Sequence, residues 1–207
     1  MQTCLGVVLA GGLSSRMGQN KANLTPLNSN QTMLEYSKAQ LHAAGVSQVV
    51  ESLNFKDSEN SGAQIVDQFP NLGPLGGIAT VFERKPKVNG YLFLPVDLPF
   101  LTDIFLQKLK THGELTQQAC YFSEHFLPLY LPRNAYTEMF FNKLSLDKGQ
   151  VREGSLKKDK GLSIKAMLKQ VPHQEISFPP SESHQLFNCN TPTQWQQVQQ
   201  QFKSRVS

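Results

Sequence analysis

Leu5-Gly6-Val7-Val8-Leu9-Ala10-Gly11-Gly12-Leu13-Ser14-Ser15-Arg16-Met17-Gly18-Gln19-Asn20-Lys21 is the stretch whose reading decides the fold. Leu5 to Leu9 is a short continuous apolar run, and it stops at Ala10-Gly11-Gly12. It therefore reads as a buried strand entering a tight turn. Working outward, Thr32 and Glu35 have capping-box spacing and start a helix near Met33 that Gly45 stops. Val49-Val50 and Ile65-Val66 give two further strands, and Pro74 stands at the first turn of a helix carrying Ile78, Val81 and Phe82. Tyr91 to Pro95 is another buried strand, and Thr102 caps a helix carrying Ile104, Phe105 and Leu109. Strand and helix alternate through this half, which predicts a parallel sheet with right-handed crossovers.

The second half is less regular. Ala119 to Phe122 and Leu127 to Leu131 read as a hairpin, followed by a helix over Ala135 to Leu144. Gly149 to Lys160 is polar and reads as a loop. A helix near Ser163 to Lys169 and a strand near Ile176 follow. Thr191-Pro192 then opens a last helix carrying Trp195, Val198 and Phe202. The expected organisation is a single domain over 1–207, with a nucleotide-binding half (1–112) and an acceptor-substrate half (113–207).

Composition removes several classes. Cys4, Cys120 and Cys189 are odd in number and widely spaced, which excludes a disulfide framework and fits a reducing, cytoplasmic compartment. Met1-Gln2-Thr3-Cys4 runs into the first strand without a basic segment, so no secretory leader is expected. No apolar run approaches the roughly 18 residues of a membrane span. The net charge of +4 is dispersed, which suits a small anionic substrate and does not point to nucleic acid.

Four blocks carry candidate chemistry. The first is the loop after the first strand. Ligands of open parallel sheets bind beyond the strands' carboxyl ends. Gly11 and Gly12 let the backbone approach a phosphate or base, while Arg16 and Lys21 add positive charge. The glycines at 11, 12 and 18 match neither a Walker A loop nor a dinucleotide fingerprint. On spacing alone, a plain glycine-rich turn with two solvated cations remains open. The second block is Pro95-Val96-Asp97-Leu98-Pro99, with an acid held rigidly at a strand end. It suits a magnesium ligand or, equally, a turn cap. The third is Asp67 with Gly73-Pro74-Leu75-Gly76-Gly77 before a helix, suited to a base or ribose or to a tight connection alone. The fourth is Asn188-Cys189-Asn190-Thr191-Pro192, whose asparagines point the same way along an extended segment. They suit contact with a second substrate or help to a metal. Among the histidines, none pairs at metal-ligand spacing, and only His125 is a candidate for the cleft.

Taken in order, these blocks resemble MobA-type molybdenum cofactor guanylyltransferases, within the wider nucleotidyltransferase group. The match begins with Leu9-Ala10-Gly11-Gly12-x-Ser14-x-Arg16-Met17-Gly18-x-x-Lys21 and spans positions 9 to 192. The resemblance implies a Rossmann-like three-layer α/β/α fold with a mostly parallel sheet. It also implies transfer of GMP from GTP to the phosphate of molybdopterin, with release of pyrophosphate. By the same matches, the backbone of Leu9, Ala10, Gly11 and Gly12 lies along the guanosine end. Lys21, helped by Arg16, holds the triphosphate. Asp67 and the Gly73-Pro74-Leu75 segment contact the nucleotide. Asp97 binds Mg²⁺ (or Mn²⁺), and His125, Asn188 and Asn190 face the pterin substrate. The implied partners are GTP, molybdopterin, cofactor-delivery proteins and molybdoenzymes, with a monomer expected. A related cytidylyl- or sugar-phosphate nucleotidyltransferase, or a silent nucleotide-binding module, is the competing reading.

Gly11 at the third loop position, with Gly73-Pro74-Leu75 present, favours GTP over CTP within the family. The chain departs from the pattern after the second strand. Ser52 stands where the family commonly has an asparagine near the nucleoside, and Asn54 lies two residues on. Leu162 stands where an arginine is common.

Overall fold

The computed structural model describes residues 3–11, 17, 20–27, 29–53, 63–69, 72–150 and 162–204. Seven strands are described: β1 (Cys4–Leu9), β2 (Gln48–Leu53), β3 (Gln64–Val66), β4 (Gly90–Pro95), β5 (Ala119–Phe122), β6 (His125–Pro132) and β7 (His173–Ile176). They form one sheet in the order β3-β2-β1-β4-β6-β5-β7. β1 pairs in parallel with both β2 and β4, and β2 with β3. β6 runs antiparallel to β4 and β5, while β5 and β7 are parallel. The sheet is therefore parallel except for β6, and the expected hairpin is β5–β6.

Helices α1 (Met33–Ala43), α2 (Pro74–Arg84), α3 (Asp103–Thr116), α4 (Ala135–Gln150), α5 (Ile164–Leu168) and α6 (Pro192–Ser204) complete the chain. The pleat sends successive strand residues to opposite faces. Val8, Leu92 and Leu94 pack with Leu41 of α1 and Leu106 of α3 on one side. Val7, Tyr91 and Phe93 pack with Ile78 of α2, Phe141 of α4 and Met167 of α5 on the other. That is the three-layer α/β/α arrangement expected from the sequence. Burial on both faces is why β1 and β4 read as unbroken apolar runs.

Local signals account for most element ends. The Thr32–Glu35 capping box is present, with both reciprocal bonds made. Gly73 precedes α2 at φ 57°, a left-handed conformation that only glycine adopts without strain, and Pro74 takes the first helical position. Two expectations need correction. Thr102 precedes α3 but makes no side-chain cap; its amide and hydroxyl instead both donate to Gln185 Oε1, tying α3 to the distant segment 180–186. The polar stretch from Gly149 does not begin as a loop, because α4 continues to Gln150. Ser145 in that last part of α4 bonds back to Phe141 O, within the helix. Residues 151–161 of the expected loop lie outside the described residues.

The chain leaves β1 toward β2 and β3 on one side, then crosses back to place β4 on the other. The reversal creates a crevice at the carboxyl ends of β1 and β4, where Leu9 and Pro95 are in register. A doubly wound sheet binds ligands at such a point.

Candidate active site

Three segments meet at this crevice. Val96 N donates to Leu9 O at 3.3 Å and Ala10 N to Ser52 O at 2.9 Å, so the chain leaving β1 is fastened to both neighbouring strands. A short 3-10 turn at Lys21–Asn23, capped by the Asn20 side chain, then sets the direction of Lys21. From the far end of the chain, Cys189 N donates to Asp97 O at 2.9 Å and brings the segment before α6 alongside β4.

The side chains of these segments form one line. Lys21 Nζ donates to Asp97 Oδ2 at 2.9 Å and to Asn190 Oδ1, and Asn190 Nδ2 donates to Asn188 Oδ1 at 2.7 Å. Lys21 and Asp97 retain only 13% and 16% side-chain exposure, which keeps their attraction less screened than at a surface. Four of the residues singled out from three sequence blocks, as much as 169 positions apart, thus converge. Lys21, Asp97 and Cys189 also line a cavity of about 10 Å³ with Leu24, Met33, Val96, Pro99 and Trp195. Burial pushes the Cys189 thiol up to about 11, with the Asp97 carboxylate adding to the effect and Lys21 opposing it. The thiol is therefore neutral near pH 7 and is not a nucleophile.

Asp97 Oδ1 tests the metal assignment. It is a buried carboxylate oxygen that receives no hydrogen bond among the described residues. A buried anionic oxygen is costly without a partner, and a divalent cation supplies one. Among the described residues no group of three or more His, Cys, Asp or Glu side chains gathers anywhere. Among the described residues the site thus offers the Asp97 carboxylate, and a cation held there would draw its remaining ligands from phosphate and water. That donor set fits Mg²⁺ or Mn²⁺ on a nucleotide and does not fit a closed structural cage.

The other predicted residues stand apart from this line. Asp67 Oδ1 accepts from Phe69 N at 2.7 Å and from the Thr80 hydroxyl at 3.1 Å, and Thr80 Oγ1 accepts from Gln68 N at 2.9 Å. One carboxylate oxygen thus shapes the turn between β3 and α2. Gly76 is the reason the turn can sit so close, since a Cβ there would lie 2.5 Å from Phe69 O and 2.7 Å from Asp67 Oδ2. A Cβ on Gly77 would lie 2.5 Å from Ser52 Oγ. Ser52 is buried beneath α2 and packs there. The Leu75 side chain is fully buried, whereas Gly73 and Pro74 are exposed, so the part of this segment open to a ligand is Gly73-Pro74. His125 opens β6, whose first residues share the sheet edge with the end of β4, but its ring neighbour is Phe178 at 6.2 Å. Gly11 is half-buried beyond β1, while Gly12, Arg16 and Asn54 lie outside the described residues.

Sequence reading missed Gln194 and Trp195 at the site. Gln194 had a legible signal: Thr191-Pro192-Thr193-Gln194 has capping-box spacing, and both reciprocal bonds are made. Trp195 had none, because the same periodicity describes any core-facing residue of α6.

Residues 6–155 match the model of the MobA-like NTP transferase domain. The chain belongs to that family. It is 34% identical over 193 residues to the molybdenum cofactor guanylyltransferase of Xanthomonas euvesicatoria, an alignment covering 93% of each chain. The fold is shared with a molybdopterin-guanine dinucleotide biosynthesis protein A of Archaeoglobus fulgidus, at a TM-score of 0.71 and 17% identity over 97% of this chain and 99% of that one. A family-like fold also occurs in a Mycobacterium tuberculosis protein solved in complex with manganese, at a TM-score of 0.60 and 18% identity over 96% and 99% of the two chains. The family match contains the Lys21, Asp67 and Asp97 blocks. The Asn188–Asn190 block lies beyond it and joins the site through the fold.

Proposed function

We propose that this protein transfers GMP from GTP to the terminal phosphate of molybdopterin, releasing pyrophosphate and giving molybdopterin guanine dinucleotide. The observation that carries the reading is the Asp97–Lys21–Asn190–Asn188 line at the switch point of the sheet, in a member of the MobA-like family.

The acceptor phosphate is already anionic. Its oxygen attacks the α-phosphorus, the bond to the bridging oxygen breaks, and pyrophosphate leaves with the electron pair. No proton has to be removed, so the chemistry requires positioning and charge neutralisation more than a base. Lys21 supplies a mobile positive charge for the triphosphate and for the growing charge on pyrophosphate, and Arg16 is assigned the same task on the same loop. Asp97 Oδ1 is assigned to Mg²⁺ or Mn²⁺, which when bound neutralises phosphate charge. The backbone from Leu9 to Gly12, with Gly73-Pro74-Leu75, Asn54 and Asp67 Oδ2, is assigned to the guanosine end. Asn188 and Asn190 are assigned to the acceptor, with His125 at the outer edge of that side. Residues 1–112 then serve mainly the nucleotide and 113–207 mainly the acceptor. The three buried thiols suit a cytoplasmic, reducing setting, and a monomer receiving cofactor from delivery proteins and passing it to molybdoenzymes completes the assignment.

The test is incorporation of radiolabel from GTP and CTP, side by side, with purified protein, molybdenum-loaded molybdopterin and Mg²⁺. Transfer from GTP with pyrophosphate release, and little from CTP, is the expected result. Preference for CTP, or transfer from neither, overturns the reading.

A further inference from the structure

We infer that Gln194 is a positioning residue for the transfer reaction, acting through Asn190; this rests on the assignment of Asn190 to the acceptor side. In a capping box the third helical residue reaches back to the amide of the N-cap residue. Gln194 does so, since its Oε1 accepts from Thr191 N at 3.0 Å, while Gln194 N donates to Thr191 Oγ1 at 3.2 Å. The same Oε1 accepts a second and shorter bond, 2.7 Å, from Asn190 N. Asn190 lies outside the helix, and starting α6 does not require its amide. The second bond reaches into the site.

Asn190 is thereby held from both directions. Upstream, the Cys189 amide is fixed to Asp97 O at 2.9 Å. Downstream, the Asn190 and Thr191 amides are fixed to one carboxamide oxygen. Between these two anchors the Asn190 side chain places Oδ1 on Lys21 and Nδ2 on Asn188. Gln194 itself stands in the first turn of α6. Val198, one turn on, is fully buried, and Trp195 lines the same cavity as Lys21 and Asp97. A carboxamide on the first turn of α6 thus fixes the rotamer and reach of the residue that links the triphosphate cation to the acceptor side. Displacements of an ångström in such supporting groups cost large factors in rate.

The experiment compares Gln194→Ala with Gln194→Glu, which keeps an oxygen able to accept from both amides. Two readouts are taken: steady-state kinetics with each substrate varied, and hydrogen exchange at the Asn190 amide. In Gln194→Ala the KM for molybdopterin rises about tenfold while the KM for GTP stays within about twofold, and Asn190 exchanges faster. Gln194→Glu restores both. A purely structural cap would instead lower thermal stability and leave the ratio of the two KM values unchanged, and that outcome overturns the inference. So does failure of the Glu variant to restore either readout, or unchanged exchange at Asn190. Exchange requires no turnover. A wild-type protein that transfers no GMP would therefore fail the functional reading separately, while the clamp on Asn190 is still judged by exchange.

Discussion

Two acidic residues were singled out for the same reason, each standing at the carboxyl end of a parallel strand before a glycine- or proline-bearing turn. They have different fates. Asp67 Oδ1 is taken up by its own turn, within 13 residues, by Phe69 and Thr80. Asp97 meets nothing local through its side chain. One oxygen faces Lys21, 76 positions away, and the other is buried without a hydrogen bond among the described residues. The difference teaches how to separate architecture from chemistry at a strand end. A carboxylate oxygen satisfied by a neighbouring amide and hydroxyl, as Asp67 Oδ1 is, holds a turn and leaves only its second oxygen for a ligand. A carboxylate left with a mobile cation and an orphaned oxygen is held ready for a ligand.

Removing the charge at Asp97 gives the largest effect expected of this contrast. Asp97→Asn keeps the shape but loses the anionic oxygens. Turnover should fall by about 1,000-fold, a loss of about 4 kcal/mol of transition-state stabilisation, with circular dichroism unchanged. Full activity in Mg²⁺ would move the metal elsewhere and dissolve the distinction between the two acids.

Lys21→Gln should act next most strongly, and in two opposite directions. Without nucleotide, the ammonium competes with any divalent cation for Asp97. Its removal should tighten Mn²⁺ binding to the nucleotide-free protein, read by electron paramagnetic resonance. Triphosphate affinity, read by calorimetry, should fall by about 30- to 100-fold, the value of a charge-assisted bond or two. A variant that loses both affinities, or neither, breaks the picture of Lys21 as a resident cation exchanged for substrate.

The alternation of β1 to α3, the capping box at Thr32 and the buried strands were legible because each is encoded within a few residues. The same holds for the hairpin and for the helix start at Thr191-Pro192. The gathering of Lys21, Asp97 and Asn190 was not visible as geometry, since no local pattern links residues 21, 97 and 190. The ordered blocks and their family resemblance supplied it instead. What stayed hidden was the use of glycine. Gly76 and Gly77 suit either a ligand-facing backbone or a tight connection, and in the structure they are the surfaces on which Asp67, Phe69 and Ser52 rest. An absent side chain gives no clue to whether a ligand or the protein itself fills the space. Gln194 is a different case: its spacing to Thr191 marks a helix start, and nothing local marks its second bond, to the Asn190 amide.

Gly76→Ala is the mildest of these changes and tests the other side of the contrast. The new Cβ would lie 2.5 Å from the backbone oxygen of Phe69, which has no flexible end to swing aside. The start of α2 or the turn at Asp67 must shift, at a cost of about 1–3 kcal/mol, typical of an added methyl in a packed region. Urea denaturation should show that loss. Turnover per folded molecule at saturating GTP should change little, because the line from Asp97 to Asn188 is built on other segments. If stability is instead unchanged while the KM for GTP rises steeply, the added methyl is meeting nucleotide and not protein. The packed side of the Asp67 turn, and not only Asp67 Oδ2, would then belong with Asp97 as a place kept open for substrate.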